Sequence, residues 1–138
     1  MKKSIKTTLL LLIATGLALS ACGASADIQG SSWKLVSYGP VEKQTPAAAD
    51  IQTNLDFGRN GRVSGNMGCN SFGGDFTVKN GNIVFSQMIS TMMACDGPQM
   101  DQEGAALKVM NGTARFKVDG NTLTIYDASG ANVITLSK

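Results

Sequence analysis

The most constraining feature of the sequence is a series of two-residue turn signals between short segments that alternate apolar and polar residues. Asn60-Gly61, Asn80-Gly81 and Asp119-Gly120 each separate two such segments. Asn-Gly and Asp-Gly are preferred in tight turns between antiparallel strands, because those turns need positive φ angles. Alternation, as at Leu55 and Phe57, is typical of strands with one buried face. The sequence therefore predicts successive β-hairpins in an antiparallel sheet.

We expect about eight short strands and one helix in a mainly β domain that begins near Ser32. A sheet of this many strands favours a partly closed, barrel-like or sandwich form. The helix is predicted to start at Asp96-Gly97-Pro98, where Asp can cap free amides and Pro suits the first turn. It is predicted to end at Asn111-Gly112. The helix should cover one open side of the core.

The buried face of this helix is predicted from residues at helical spacing, namely Met100, Glu103, Leu107 and either Val109 or Met110. Glu103 is the acidic residue of most interest, because it lies at the edge of that stripe. A capping-type interaction with the preceding turn is the expected role of its carboxylate. No pair of carboxylates stands out for acid–base catalysis.

Two segments are harder to interpret. Residues 67–74 carry Gly68, Gly73 and Gly74, and are expected to form a loop with positive φ angles or a close approach of two backbones. Within that loop, Asn70 is expected to hydrogen-bond the local backbone. Residues 87–94 fit either a strand with a bulge or a buried loop.

The N-terminus has the pattern of a secretory signal peptide over residues 1–21, with lysines, then an apolar run, then small residues. Leu19-Ser20-Ala21-Cys22 resembles the bacterial lipobox, which implies cleavage before Cys22 and acylation of that cysteine. Residues 22–31 are predicted to be the acylated N-terminus and tether, and 32–138 the folded domain. Gly23 is not the Asp that retains enteric lipoproteins in the inner membrane. By that resemblance, the protein is expected at the outer membrane, facing the periplasm.

Charge and composition exclude several functions. The sequence holds 12 basic and 10 acidic residues, and three of the basic ones lie in the segment predicted to be removed. The remaining domain has no basic excess that would favour nucleic acid. The sequence contains 0 His, which excludes Ser-His-Asp and Cys-His nucleophiles and His-based metal sites.

Cys69 and Cys95 remain once Cys22 is assigned to the lipid. In an oxidising compartment such a pair most simply forms a disulfide. Reduced structural cysteines and a redox or metal role are the alternatives. No Cys-x-x-Cys spacing is present to activate a thiolate.

The methionines raise the question of copper. Met88, Met92, Met93, Met100 and Cys95 carry the soft sulfur ligands that suit Cu(I). Methionine also fills irregular gaps in cores, and the segment is otherwise apolar. We therefore expect these methionines to pack in the core, and no cofactor or metal.

Four segments together resemble the META domain family of bacterial envelope lipoproteins, also described as HslJ-like (DUF306). They are the opening strand Ser32–Leu35, the run from Leu55 through Gly68-Cys69-Asn70 to Phe76, the motif Thr91–Cys95, and Glu103 with the strands that follow it. Phe76 stands where Tyr is commoner in the family. The residues of the family motif, which the resemblance implies to be structural, are Trp33, Gly68, Cys69, Asn70, Gly74, Thr91, Met93, Ala94, Cys95 and Glu103.

The resemblance implies an antiparallel, partly closed β structure with one helix, and associates the chain with envelope stress, including heat shock. It implies no established reaction. We therefore expect a non-catalytic, monomeric structural or binding module, attached to the membrane through Cys22, with an unknown envelope protein as partner. A carrier of a lipid or acyl chain in the barrel mouth, lined by Phe72, Phe76, Met88 or Met92, is the alternative.

Overall fold

The computed structural model describes residues 28–138, and within them the chain forms nine strands and one helix. The predicted signal peptide and Cys22 lie outside the described residues. The strands are β1 (Ser31–Pro40), β2 (Thr45–Pro46), β3 (Asn54–Phe57), β4 (Arg62–Asn66), β5 (Ser71–Lys79), β6 (Asn82–Ser90), β7 (Thr113–Asp119), β8 (Thr122–Tyr126) and β9 (Asn132–Ser137), with helix α1 (Pro98–Val109) between β6 and β7. No helix in this part of the chain is long and apolar enough to cross a bilayer.

The strands form a closed, eight-stranded antiparallel barrel, with β2 as an extra strand beside β1. Each strand from β3 to β9 pairs with the next along the chain, and β9 pairs back with β1. The first strand closes the barrel by pairing with β3 over Ser31–Trp33 and with β9 over Lys34–Pro40. A register shift between Leu35 and Ser37 marks a bulge in the strand that makes this transition. The mainly β prediction is confirmed, in its barrel form.

The predicted hairpin turns are confirmed. Asn80 and Gly81 have φ angles of 52° and 74°, and Gly61 and Gly120 have positive φ angles of 77° and 57°. Asn and Gly tolerate this left-handed region at the least steric cost, and a β-branched residue would be strained there. The turn chemistry of the sequence thus sets the register of successive strands.

The barrel interior is filled by the apolar members of the alternating pattern. Leu55, Leu123 and Ile125 are completely buried. The rings of Phe57 and Phe76 pack edge to face with centroids 4.9 Å apart, a favoured aromatic geometry. The core also includes Ile28, which is 0 % exposed. The folded domain therefore starts earlier than the predicted boundary at residue 32, and Ile28 is not part of a tether.

Helix α1 has the predicted limits and most of the predicted face. Its buried residues are Gln102, Glu103, Ala106 and Val109. The expected stripe is wrong at Met100, which is exposed, whereas Leu107 packs partly buried against the core. Glu103, Val109 and Met110 are buried as predicted. The expected cap is also wrong, because Gly97 is the N-cap residue and no side chain caps the helix. Among the strands, helix α1 packs mainly against β9 and β1.

The two ambiguous segments are resolved by β5 and β6. Gly73 and Gly74 lie inside β5 rather than in a loop, and the loop proper is residues 67–70. Residues 87–94 were predicted to form either a strand with a bulge or a buried loop, and the buried loop is wrong. Strand β6 continues to Ser90 with a bulge near Gln87, whose φ is 51°, and the chain then runs exposed through residues 91–94.

Candidate functional site

The carboxylate of Glu103 is buried against the loop that joins β4 to β5. Its Oε2 accepts hydrogen bonds from the backbone N–H of Cys69, at 2.8 Å, and of Asn70, at 2.5 Å. Its Oε1 accepts a hydrogen bond from the side-chain amide of Asn70 at 2.8 Å. Glu103 is 4 % exposed. The predicted capping role is therefore wrong: the carboxylate ties the helix to a loop over thirty residues away in sequence.

Asn70 carries this connection on to a second loop. Its side-chain oxygen accepts hydrogen bonds from Thr91 Oγ1 at 2.8 Å and from the Met93 backbone N–H at 2.7 Å. Its Nδ2 donates to the Met93 carbonyl at 3.2 Å as well as to Glu103. The expectation that Asn70 serves its own glycine-containing loop is wrong, because its amide reaches the loop after β6.

Gln102, the neighbour of Glu103, makes a third tie that sequence reasoning missed. Its Nε2 donates to the Met67 carbonyl at 2.6 Å, and its Oε1 accepts from the Ala48 N–H at 3.1 Å. Gln102 is 0 % exposed. A buried amide of this kind must have partners, because an unsatisfied one is costly. No sequence signal distinguishes it from the solvent-exposed glutamines usual on helices.

Gly68 is required by the packing of this loop on the helix. A Cβ built at Gly68 would lie 2.1 Å from the backbone oxygen of Gln99. Real Cβ atoms essentially never come that close to another heavy atom. The predicted close approach of two backbones is confirmed here. Positive φ is not the reason, since Gly68, Gly73 and Gly74 are absent from the glycines with positive φ among the described residues. At Gly74 a Cβ would meet the Met88 sulfur at 2.5 Å.

We name this set the polar junction, defined as residues 67–70, Thr91, Met93, Gln102 and Glu103. A disulfide joins Cys69 to Cys95 beside it, with Cα atoms 6.1 Å apart. That distance is ordinary for the bond. Among the described residues, no buried polar side-chain atom lacks a hydrogen-bond partner. Fully satisfied buried networks hold their elements in one arrangement.

Most of the family-motif residues lie in this junction, Cys95 is joined to it by the disulfide, and three lie elsewhere. Ala94 is exposed in the loop between Met93 and Cys95. Gly74 lies in β5 against Met88. Trp33 is a core residue, and its indole N–H donates to Ser31 Oγ at 2.6 Å. The family motif therefore combines a core residue of the barrel, Trp33, with a separate group of residues in the junction that fixes helix α1.

The loop that the junction holds exposes large apolar side chains. Met92 is 98 % exposed and Met93 is 56 % exposed, and Ile89 at the end of β6 is 72 % exposed. The expectation that these methionines pack in the core is wrong for Met92, Met93 and Met100. Met88 does pack, in part, against the core. Large apolar side chains exposed on one short segment, here residues 89–93, are typical of interaction surfaces.

A groove of about 370 Å³ lies between the end of β6 and helix α1. Its apolar walls come from Met88 and Ile89 of β6 and from Leu107 and Met110. Phe72 and Phe76, which were expected to line a ligand cavity, are buried core residues and do not line this groove. The groove is thus outside the barrel interior.

The residues that could ligate a metal are dispersed. Among residues 28–138 there is no group of three or more Asp, Glu or Cys side chains arranged to hold a metal ion. For the copper hypothesis, Cys95 carries its sulfur in the disulfide and so offers no thiolate.

A separate polar cluster forms the β8–β9 turn. Asp127 accepts hydrogen bonds from Asn132 Nδ2 at 2.6 Å, Ser129 Oγ at 2.8 Å and the Ala131 N–H at 3.0 Å. Desolvation acts to raise the pKa of Asp127. Hydrogen bonds from Asn132, Ser129 and the turn backbone outweigh it, and they lower the pKa from 3.8 to about 2. This cluster stabilises a hairpin turn.

These features define a class: small antiparallel barrels closed on one side by a single helix, which a polar junction fixes in place. The META domain family matches residues 26–138, and the chain belongs to that family. The comparison with curated proteins gives no match.

Solved structures share the fold at low sequence identity. A protein from Burkholderia xenovorans, solved by NMR, has a TM-score of 0.68 at 18 % identity, over 99 % of this chain and 97 % of that one. A second NMR structure has a TM-score of 0.62 at 24 % identity, over 79 % and 89 %. A crystal structure of a DUF4847 family protein from Bacteroides vulgatus has a TM-score of 0.56 at 12 % identity, over 78 % and 92 %. Each likeness concerns the fold alone.

Proposed function

We propose that the protein is a lipid-anchored envelope module that binds a partner protein through the exposed loop after β6, and that it acts without catalysis in the response to envelope stress. The observation that carries this proposal is the exposure of Met92 and Met93 on a loop that hydrogen bonds with Asn70 hold in place. Burying such side chains against a partner would remove apolar surface from contact with water, which favours binding. Asn70 holds the backbone of Met93, and the Ser71 carbonyl accepts from the Thr91 N–H on the other side of Met92, so less conformational entropy is lost on binding.

The two ends of the barrel support an orientation. Strand β1 starts beside the end of β3, as Ser31 pairs with Phe57, and the turns at 58–61, 80–81 and 120–121 follow at that same end. Loops 67–70 and 91–97 lie at the opposite end, which we call the helix end. The chain between Cys22 and Ile28 can span at most about 20 Å. An acylated Cys22 would therefore hold the first end near the membrane and present Met92 away from it.

The non-catalytic part of the proposal is supported by the chemistry of Glu103. It is the buried carboxylate of the junction, and both of its oxygens already accept hydrogen bonds. A general acid or base must reach a substrate proton directly or through water. Glu103 is instead occupied by three donors from the protein itself.

Anchoring is tested by following the lipid. Cells labelled with radioactive palmitate should incorporate label into the wild-type protein and not into the Cys22→Ala variant. Wild type should fractionate with outer membranes. Label retained in the variant would contradict anchoring through this cysteine.

Partner binding is tested by site-specific photo-crosslinking in living cells. A photoreactive residue at position 92 should give a discrete crosslinked product, and one at position 122 should not. Thr122 is the matched control because it is also exposed but lies at the opposite end of the barrel. Equal crosslinking at both positions, or none at position 92, would contradict the proposed surface.

Transport of an apolar ligand is the second candidate function, favoured by the groove between β6 and α1. Its volume is within the range of small-molecule sites. Gly104 offers a clean test, because no atom lies within 4 Å of a Cβ placed there. Native mass spectrometry should show extra mass on the wild-type protein and not on Gly104→Leu, whose side chain would fill the groove. A bare wild-type mass would exclude a tightly held ligand.

A further inference from the structure

We infer that Met92 and Met93 form a site of reversible oxidation, at which a peroxide-class oxidant converts both thioethers to sulfoxides and makes the binding surface polar. The modification itself depends only on the exposure of the two side chains. Its effect on partner binding rests on the proposed function.

The methionines of residues 28–138 differ widely in access, with Met88 partly buried and Met100 38 % exposed between the two extremes. Met92 is 98 % and Met93 56 % exposed, whereas Met67 and Met110 are 0 % and 1 % exposed. Oxidation of methionine needs contact between sulfur and oxidant, so susceptibility follows exposure. The buried pair provides an internal control within the same chain.

No thiol in the described residues competes for the oxidant. Cys69 and Cys95, the cysteines among residues 28–138, are already joined in the disulfide. A free thiolate would compete with the thioethers for peroxide. The exposed thioethers are therefore the most accessible reducing groups on this end of the molecule.

The junction allows the reaction without loss of the fold. Asn70 holds Met93 through the backbone N–H and carbonyl, and Thr91 through its hydroxyl. None of these bonds uses a methionine side chain. A sulfoxide at position 92 or 93 would thus change the polarity of the surface and leave the hydrogen bonds beneath it intact.

The chemistry balances with hydrogen peroxide as the oxidant. The thioether sulfur bonds to one peroxide oxygen as the O–O bond breaks, sulfur gives up two electrons, and the second oxygen leaves as water. In the reverse step the sulfoxide oxygen leaves as water while two thiols of a methionine sulfoxide reductase become a disulfide. An apolar side chain becomes polar and then apolar again.

The first experiment measures the oxidation site in the full-length protein in its own membranes. After graded hydrogen peroxide treatment, peptide mass spectrometry should show one added oxygen on Met92 and Met93 at least about tenfold faster than on Met67 and Met110. Methionine sulfoxide reductases should remove it. Equal rates for all four residues, or faster oxidation of the buried pair, would overturn the inference.

The second experiment measures the consequence with the photoreactive residue placed at position 89, which is also exposed and lies three residues before Met92 in the chain. Peroxide should reduce crosslinking of the wild-type protein about tenfold, and leave a Met92→Leu, Met93→Leu double variant unaffected. Peroxide-insensitive crosslinking of the wild type would overturn the inferred effect. Selective oxidation with no crosslinking even before peroxide would support the oxidation site and instead contradict the proposed function.

Discussion

The barrel interior and the polar junction hold the same domain together by different means. The interior is apolar, and its members follow the alternation of each strand, as with Leu123 and Ile125. The junction is polar, and its members come from three distant segments brought together by Glu103 and Asn70. Apolar packing is stabilising but non-directional, whereas buried polar groups are costly unless every partner is in place. We infer that the barrel tolerates small changes of its apolar side chains. The junction, which fixes the helix and the exposed loop, does not tolerate the loss of a hydrogen-bond partner.

The largest expected effect comes from removing the shared acceptor of the junction. Glu103→Ala would leave the buried N–H groups of Cys69 and Asn70 unsatisfied, and we expect it to lower the free energy of unfolding by about 4 kcal/mol. Urea unfolding measures this. The matched control is Asp101→Ala, an exposed acidic residue on the same helix, which should cost less than about 1 kcal/mol. Similar losses of unfolding free energy for both variants would contradict the proposed contribution of the junction to stability.

The disulfide beside the junction should have the next largest effect. Replacing both Cys69 and Cys95 by Ala removes a cross-link with a sequence separation of 26, and we expect a loss of about 3 kcal/mol in the free energy of unfolding. The hydrogen bonds of Glu103 remain, so hydrogen exchange at the Asn70 N–H should stay slower than at exposed loop amides. If that amide exchanged freely, the bridge rather than Glu103 would be holding the loop.

A smaller effect is expected at the β8–β9 turn, which is polar but outside the junction. Because the pKa of Asp127 is lowered from 3.8 to about 2, its contribution is complete above 3.8 and is lost as pH falls toward 2. We expect Asp127→Asn to cost about 1–2 kcal/mol at neutral pH, a figure reduced for screening at the surface. Unfolding of both proteins across pH measures it. A gap that stays constant down to the most acidic pH would contradict the ionic origin.

The smallest effect is expected from a conservative change in the barrel. Ile134 is 0 % exposed, and Ile134→Val removes one methylene and leaves a small cavity, so we expect a loss of about 1 kcal/mol. Val36→Ala, on the exposed side of β1, should change stability by less than about 0.5 kcal/mol. A larger loss at Ile134 than at Glu103 would reverse the comparison between the two regions.

How far the sequence predicted the fold depends on whether the signal was local. Turns such as Asn80-Gly81 and the limits of helix α1 were predicted correctly, because turn and helix-end preferences depend on a few adjacent residues. The buried face of the helix was predicted only in part, since Glu103 and Val109 are buried as expected but apolar Met100 was favoured over Gln102. That choice assumed an apolar partner surface, and the helix instead faces backbone groups of Met67, Cys69 and Asn70.

The candidate site was predicted in membership but not in arrangement. The family resemblance named Cys69, Asn70, Thr91 and Glu103, and the structure brings these four together. The resemblance could not give the direction of the Asn70 side chain. Its own loop and the loop after β6 both offer backbone partners, and only the closed barrel sets the distance between them. The exposure of Met92 was missed for the same reason, since an apolar residue in an apolar stretch resembles a core residue.

The sequence by itself determined an antiparallel, mainly β domain with one helix, the positions of its turns, and a cysteine pair able to form a bridge. Periodicity and turn chemistry are local, and they act in the same way whatever lies across the core. Only the tertiary structure decided that the sheet closes on itself, that Glu103 binds a loop, and that the methionines of the next loop face solvent. Those outcomes depend on which backbone groups remain unpaired after the barrel closes, and a buried carboxylate satisfies them where apolar packing cannot.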